Sequence, residues 1–130
     1  MPARADAVSI ARHAVAQHLA RAGVPSTIID DIELVASELV TNAIIHPRPP
    51  VASVQLRVDL GDVIEIRVSN AGMVAAIPPV AAWHPAPAAA LSGRRLGIVR
   101  RLCDEVTLEQ VGERAVITCW RSVPDRGVKR

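Results

Sequence analysis

The apolar residues of this chain change their spacing at a cluster of prolines, Pro47, Pro49 and Pro50, and this change limits the fold more than any other feature. Before the cluster they recur every three or four positions, as on one face of a helix: Val8, Ala11, Val15, Leu19 and Ala22, then Ile28, Ile32, Val35, Leu39 and Ala43. After it they alternate with polar residues, as on a half-buried strand: Val54, Leu56, Val58 and Leu60, then Ile64, Ile66 and Val68. The sequence therefore predicts two helices followed by a β-hairpin.

Short signals mark the ends of these elements. Gly23 and Pro25 end the first helix, and Thr27 followed by Asp30 marks the start of the second. The pair Gly61-Asp62 supplies the hairpin turn. These positions place each helix and strand between residues suited to end it.

The second half of the chain begins with a stretch, residues 71–92, that is rich in Ala and Pro and has no periodicity. Its prolines exclude a continuous helix or strand ladder, and a connection of this length is typical of a functional lid. Helical spacing returns from Gly93 to Cys103, and two strands follow, Val106–Gln110 and Ala115–Trp120, joined around Gly112. We expect residues 122–130 to form a flexible tail.

This order of elements favours an α+β two-layer sandwich in which the helices pack on one face of a mostly antiparallel sheet. With 130 residues, of which 50% are hydrophobic, the chain suits one domain spanning residues 1–130.

Composition excludes several functions. Trp83 and Trp120 are the only aromatic residues, so an aromatic platform for nucleic acid is not expected, and a net charge of +2 gives no coherent basic stripe. No apolar run is long enough to cross a bilayer, and the first residues carry charges where a secretory signal would be apolar. Cys103 and Cys119 form no metal-ligand motif and are expected to be reduced thiols. We expect a cytoplasmic protein with no direct nucleic-acid or membrane partner.

The segment Ser37–His46 places three polar groups on one stripe of an apolar helix, because Glu38, Asn42 and His46 are spaced four residues apart. A Glu among apolar neighbours needs a partner, and an Asn oxygen beside it can bind Mg²⁺. The plain alternative is the solvated side of an amphipathic helix. For His46 the alternative is a capping or structural role at the helix end.

Two further segments carry possible binding chemistry. Asn70, near the end of a strand, is followed closely by Gly72, which lets the backbone bend or approach a ligand; a simple turn would give the same pattern. The stretch Ser92–Gly97 places glycines at the start of a helix, where free N–H groups favour an anion such as phosphate; a small-residue helix cap is the alternative.

In this order and with these separations, the three segments resemble the N box, the first glycine box and the second glycine box of the histidine-kinase-like ATPase superfamily. In particular, the chain resembles the anti-sigma factor serine kinases of bacterial sporulation and stress-response switches, including the small stand-alone proteins of actinobacteria. The resemblance spans roughly residues 8–121, and the string Ser37–His46 is its most specific part.

The resemblance implies a Bergerat-type ATP fold that holds ATP and Mg²⁺ under a lid. By this analogy Glu38 is the general base, Asn42 binds the Mg²⁺, and Asn70 with Gly72 reads the adenine. Five residues of the second box border the phosphates, namely Gly93, Arg94, Arg95, Leu96 and Gly97. The implied partners are a sigma factor and an anti-sigma-factor antagonist protein, and the implied assembly is a homodimer formed through residues 51–58 and the first helix.

The chain departs from the family pattern at three positions. Asn70 replaces the adenine-reading Asp, although an amide can also pair with adenine. Val74 and Arg95 stand where glycines are usual, which reduces the backbone freedom needed to wrap a phosphate. A cation at Arg95 could hold a γ-phosphate or obstruct it, and the sequence leaves both open.

Three functions remain in competition at this point. The first is a serine kinase that phosphorylates the antagonist and also sequesters the sigma factor. The second is a binding module of the same fold with little or no nucleotide use, which the three departures favour. The third is a structural domain whose likeness to the boxes is accidental, and it must explain three coincidences in order.

Overall fold

The computed structural model describes residues 6–45, 55–71, 77, 79–83 and 91–123, except for the side chains of residues 7, 43–45, 55–57, 70–71 and 91–94. In chain order the described elements are α1 (Ala7–Arg21), α2 (Ser26–Ile45), β1 (Gln55–Leu60), β2 (Val63–Ala71), a 3₁₀ turn (Val80–Ala82), α3 (Leu91–Leu102), β3 (Glu105–Val111) and β4 (Arg114–Ser122). The predicted order of helices and strands is confirmed.

The four strands form one antiparallel sheet in the order β1-β2-β4-β3. On the central strand β2, Ile64, Ile66 and Val68 are buried, whereas Arg67 between them is exposed. Ile66 lies opposite Cys119 and Val68 lies opposite Ile117, and since both partners are also buried, the alternation continues across the sheet. One face of the sheet is therefore the core face.

The helices cover this core face. Each contributes an apolar stripe to the same cluster as the sheet, including Val15 and Leu19 of α1, Ile32, Val35 and Leu39 of α2, and Leu96 and Val99 of α3. Helix α2 packs against both α1 and α3 and also contacts β2. The predicted α+β two-layer sandwich is confirmed, and α2 is its central helix.

The ends of α1 and α2 follow from local chemistry. Gly23 adopts φ 80°, the left-handed conformation that suits a residue beyond the end of a helix. Helix α2 then starts at Ser26, one residue before the predicted Thr27, because the carbonyl of Pro25 already accepts bonds from the N–H groups of Ile28 and Ile29 at 3.0 and 3.1 Å. Proline suits this place because it leaves no N–H to satisfy.

The stretch before α3 contains more structure than expected. Trp83 is only 1% exposed and belongs to the main core cluster, and Ile77 and Val80 pack against that cluster. The prediction that residues 71–92 form a lid without regular structure is therefore wrong at three places. Ala71 belongs to β2, Val80–Ala82 form the 3₁₀ turn, and Leu91 and Ser92 lie in α3. The rest of the predicted lid, residues 72–76, 78 and 84–90, lies outside the described residues.

The predicted tail also begins later than expected. Strand β4 continues through Ser122, and Val123 is 5% exposed, with its N–H 3.3 Å from the carbonyl oxygen of Asp62. Residues 122 and 123 thus close the sheet beside the hairpin turn, and residues 124–130 lie outside the described part of the chain.

Cys103 and Cys119 are both free, as the sequence predicts. Cys119 on β4 is buried, and the pKa of its thiol is raised by a hydrogen bond to Cys103 and by burial. The two thiols therefore pack together where α3 ends above the sheet.

Within the described part of the chain, no helix combines the length and the hydropathy that crossing a membrane requires.

Candidate active site where α2 meets α3

Glu38 and Asn42 lie one turn apart on the side of α2 that faces α3. Their neighbours Val35 and Leu39 point into the core with no exposed surface, so the helix turns the two polar residues away from the sheet and toward its neighbour. Asn42 is 4% exposed, and the Glu38 side chain is 19% exposed. At this spacing their Cβ atoms are about 5–6 Å apart. They form one polar surface in an otherwise apolar contact between helices.

Arg95 of α3 faces this surface. Its Nε lies 3.9 Å from Oε2 of Glu38, and its side chain is 21% exposed. That distance makes an ion pair but is too long for a hydrogen bond. The expectation that α2 and the first turns of α3 converge is therefore met at Glu38 and Arg95.

Two atoms of this cluster are buried without a hydrogen-bond partner, Oδ1 of Asn42 and Nη1 of Arg95. The first is an acceptor and the second a charged donor, yet they do not bond to each other. An unsatisfied buried polar group destabilises the folded protein by about 1–3 kcal/mol. Unsatisfied buried polar groups of this kind need a reason, and a bound ligand is one of them.

The pKa of Glu38 is raised above its ordinary value of 4.5, chiefly because burial disfavours the charged carboxylate, and the nearby Arg95 partly offsets this. A carboxylate with a raised pKa is a stronger base than a solvated one. The environment of Glu38 therefore suits a proton acceptor.

Metal binding at this site would depend on few protein ligands. Among the residues that the structure describes, no group of three or more His, Cys, Asp or Glu side chains could hold a metal ion. Mg²⁺ does not require one, because it usually takes one or two protein oxygens and completes its shell with water and phosphate oxygens. The unpartnered Oδ1 of Asn42 fits that requirement.

The first turn of α3 contains Gly93 and Arg94, so their backbone N–H groups belong to the free N-terminal end of a helix that favours anions. Leu96 has no exposed surface and Gly97 is buried. The side chain of Leu96 therefore packs in the core, and only its backbone is available to border a ligand. The side chains of residues 91–94 are not among those that the structure describes.

The other predicted site residues are described less fully. Asn70 lies in β2 with its backbone opposite Ala115 of β4, but its side chain is not described. Gly72, Val74 and His46 lie outside the described residues. The structure thus brings together Glu38, Asn42 and Arg95 and leaves the proposed adenine end as a prediction.

Sequence reasoning missed how the segment before α3 is held. Arg100 of α3 donates hydrogen bonds to the carbonyl oxygens of Val80 and Ala81, at 3.1 and 3.4 Å. Together with buried Trp83, these bonds fix the 3₁₀ turn to α3. An isolated Trp in a proline-rich stretch was the available signal, because a large apolar side chain is seldom left in solvent.

Comparison with known proteins agrees with this geometry. Residues 1–120 match the model of the histidine kinase-like ATPase domain. No curated protein matches the chain. Since the match covers most of the sequence and includes α2 and α3 with their polar cluster, the chain belongs to the histidine kinase-like ATPase domain family.

Proposed function

We propose that this protein binds ATP with Mg²⁺ and transfers the γ-phosphoryl group to a serine of an anti-sigma-factor antagonist, and that it also sequesters a sigma factor. Membership of the family supports nucleotide binding. The observation that carries the proposal is the cluster of Glu38, Asn42 and Arg95, with a carboxylate of raised pKa, an unsatisfied amide oxygen and an unsatisfied guanidinium nitrogen.

In this proposal Glu38 accepts the proton of the attacking serine hydroxyl, which its raised pKa favours. Asn42 holds the metal through Oδ1, and the N–H groups at the start of α3 bind phosphate oxygens together with Arg94 and Arg95. Mg²⁺, when bound, neutralises charge on the phosphates. The protein's contribution is to position the hydroxyl beside Glu38 and to exclude water by packing α2 against α3.

Nucleotide binding is tested by thermal unfolding of the purified protein with increasing Mg·ATP. A ligand that binds only the folded state stabilises it by RT ln(1 + [L]/Kd), about 2.7 kcal/mol at a hundredfold excess over Kd. The proposal expects the melting temperature to rise, and a matched titration with Mg²⁺ alone is the control. The absence of both a shift and bound nucleotide at millimolar Mg·ATP would overturn it.

Phosphoryl transfer is tested by incubating the protein with γ-labelled ATP and a panel of purified anti-sigma-factor antagonists. We expect label on a serine of one antagonist, and no label when that serine is replaced by Ala. Sequestration is tested separately, by co-purification with candidate sigma factors in the presence of Mg·ATP.

A second candidate function is a binding module of the same fold that acts by sequestration alone. The contact between Arg95 and Glu38 favours it, because Arg95 stands at a usual glycine position and approaches the proposed base. This candidate predicts partner binding that does not change with nucleotide, and no transfer of label. Label transfer, and co-purification with and without Mg·ATP, therefore separate it from the kinase.

A further inference from the structure

The two cysteines of the chain come from different elements and lie together beside the core. Cys119 on β4 is 1% exposed and belongs to the apolar cluster between helices and sheet, as does Ile117 two residues before it. Cys103 is partly exposed and packs against the same cluster. A hydrogen bond joins the two thiols. They therefore form a pair of reduced sulfurs with one buried and one accessible member.

The backbone on both sides of Cys103 is fixed to β4. The carbonyl oxygen of Leu102 accepts a hydrogen bond from Nη1 of Arg121 at 2.7 Å. The N–H of Asp104 donates to the carbonyl oxygen of Trp120 at 2.8 Å. Because both neighbours of Cys103 are held to this strand, its distance from the thiol of the strand does not depend on a mobile loop.

The direction of the Cys103 side chain follows from helical spacing. Its N–H donates to the carbonyl oxygen of Val99 at 3.1 Å, so the helical bonding pattern runs one residue beyond the end of α3. Side chains four residues apart share a helix face, and Val99 has no exposed surface. Cys103 therefore points toward the core side of α3, where Cys119 of the sheet meets it.

We propose that Cys103 and Cys119 are a peroxide-sensitive dithiol, and that oxidation joins them in a disulfide that ties the end of α3 to β4. Redox-sensing cysteines are typically accessible and lie beside a second cysteine that resolves the oxidised sulfur. Cys103 has the access, and Cys119 is its neighbour. The inference does not depend on nucleotide binding, because the pair lies at the opposite end of α3 from Arg95.

The oxidation balances with hydrogen peroxide as the oxidant. The thiolate of Cys103 attacks one peroxide oxygen, the O–O bond breaks, and the departing hydroxide becomes water, which leaves a sulfenic acid on Cys103. The sulfur of Cys119 then attacks the sulfur of Cys103, the S–O bond breaks, and the proton of the Cys119 thiol leaves with the oxygen as a second water. Burial and the hydrogen bond to Cys103 raise the pKa of the Cys119 thiol, so it keeps its proton until this second step.

The test treats the purified protein with hydrogen peroxide, alkylates the remaining thiols under denaturing conditions and measures the intact mass. We expect a monomer that has lost two hydrogen atoms, takes up no alkyl group and regains both thiols on treatment with dithiothreitol. Its melting temperature should lie about 5–10 °C above that of the reduced protein, because a bond that closes a loop of about 15 residues restricts the unfolded chain.

Two other results would overturn the proposal. One is added oxygen on Cys103, or disulfide-linked dimers, while Cys119 is still alkylated. The other is an intramolecular disulfide without a rise in melting temperature, which would show that the bond does not tie α3 to the sheet.

Two variants separate the roles of the thiols. In Cys119→Ala the sulfenic acid on Cys103 has no resolving partner, so dimedone should label it. In Cys103→Ala the buried Cys119 should stay reduced at the same peroxide concentration. Equal oxidation of Cys119 with and without Cys103 would show that the thiols act independently. The melting temperature of each reduced variant shows whether it is folded, and the mass of the oxidised wild type decides alone where a variant is not.

Discussion

Arg121 and Arg95 both pair with carboxylates of α2, but their surroundings differ. Arg121 of β4 places Nη1 2.9 Å from Oδ2 of Asp31 and 2.7 Å from the carbonyl oxygen of Leu102, at the last residue of α3. Arg95 of α3 lies 3.9 Å from Glu38 and has a buried Nη1 without a partner. We call the first group, Asp31, Leu102 and Arg121, the closed junction, and the second, Glu38, Asn42 and Arg95, the open junction.

Within the same packing of helices, the closed junction suits a structural role and the open junction suits a ligand site. The closed junction joins α2, α3 and the sheet through the two short contacts of Arg121, and an arginine at a helix C-terminus also suits the helix dipole. The open junction has comparable charges but leaves a donor and an acceptor unused. Since unsatisfied buried groups are costly, they are expected to persist where a ligand completes them.

The largest expected effect is at the open junction. Glu38→Gln should lower the rate of phosphoryl transfer by about 10²–10⁴-fold, because general-base catalysis contributes about that much, while Mg·ATP still binds. The measurement is label transfer to the antagonist together with calorimetric Kd. Glu33→Gln is the control, because Glu33 lies on the same helix, and its ion-pair partner Arg12 is 53% exposed. If Glu38→Gln transferred phosphate at the wild-type rate, Glu38 would not be the general base, and the open junction would have no catalytic role.

The next effect shows where the packed part of the molecule ends. Trp83→Ala should lower the free energy of unfolding by about 3–5 kcal/mol, because a large buried side chain is lost and a cavity remains. Chemical denaturation measures it, with Val111→Ala, at a residue 56% exposed, as the control. A change below about 1 kcal/mol would mean that residues 79–83 belong to a mobile lid after all.

The closed junction is tested by Arg121→Met, which keeps the length of the side chain but removes its hydrogen bonds. We expect a loss of about 2 kcal/mol of unfolding free energy, because two charged hydrogen bonds are lost and the carbonyl oxygen of Leu102 loses its donor. The affinity for Mg·ATP should stay at the wild-type value. A changed affinity would show that the two junctions are coupled.

The fold was predictable because its signals are local. The burial of Ile64, Ile66 and Val68 on β2 follows from their spacing of two residues, and the apolar stripe on α2 follows from a spacing of three or four. Trp83 was not placed, because no period in a proline-rich stretch shows whether an isolated side chain reaches the core. The ion pair of Asp31 with Arg121 joins residues far apart in sequence, and only the assembled sheet and helices bring them together.

The candidate site was predictable in part for the same reason. Glu38 and Asn42 share a helix face by spacing alone, and the structure confirms that face. For Arg95 the sequence left two interpretations open, because a cation at this position could hold a γ-phosphate or obstruct it, depending on where its side chain points. The structure directs it at Glu38, with a donor left over. The adenine end, at Asn70 and Gly72, stays a prediction.

The smallest expected effect is the pH dependence of stability, and it has opposite signs at two acids. Burial raises the pKa of Glu38 in the folded state, so its stabilising contribution is complete below the ordinary value of 4.5 and is lost as pH rises through the raised value. Glu38→Gln removes this loss. The free energy of unfolding of Glu38→Gln relative to the wild type should therefore increase as pH rises above the ordinary pKa of 4.5.

Asp104 behaves in the opposite way, because a hydrogen bond from the backbone N–H of Ser122 lowers its pKa below 3.8. Its contribution is present above that value and is lost as pH falls through the lowered pKa, so Asp104→Asn should be less stable than the wild type at neutral pH and match it in strong acid. Urea unfolding of both variants across this range measures the two slopes. Slopes of the same sign would mean that Arg95 satisfies Glu38 as fully as Ser122 satisfies Asp104, and the open junction would then be closed in solution.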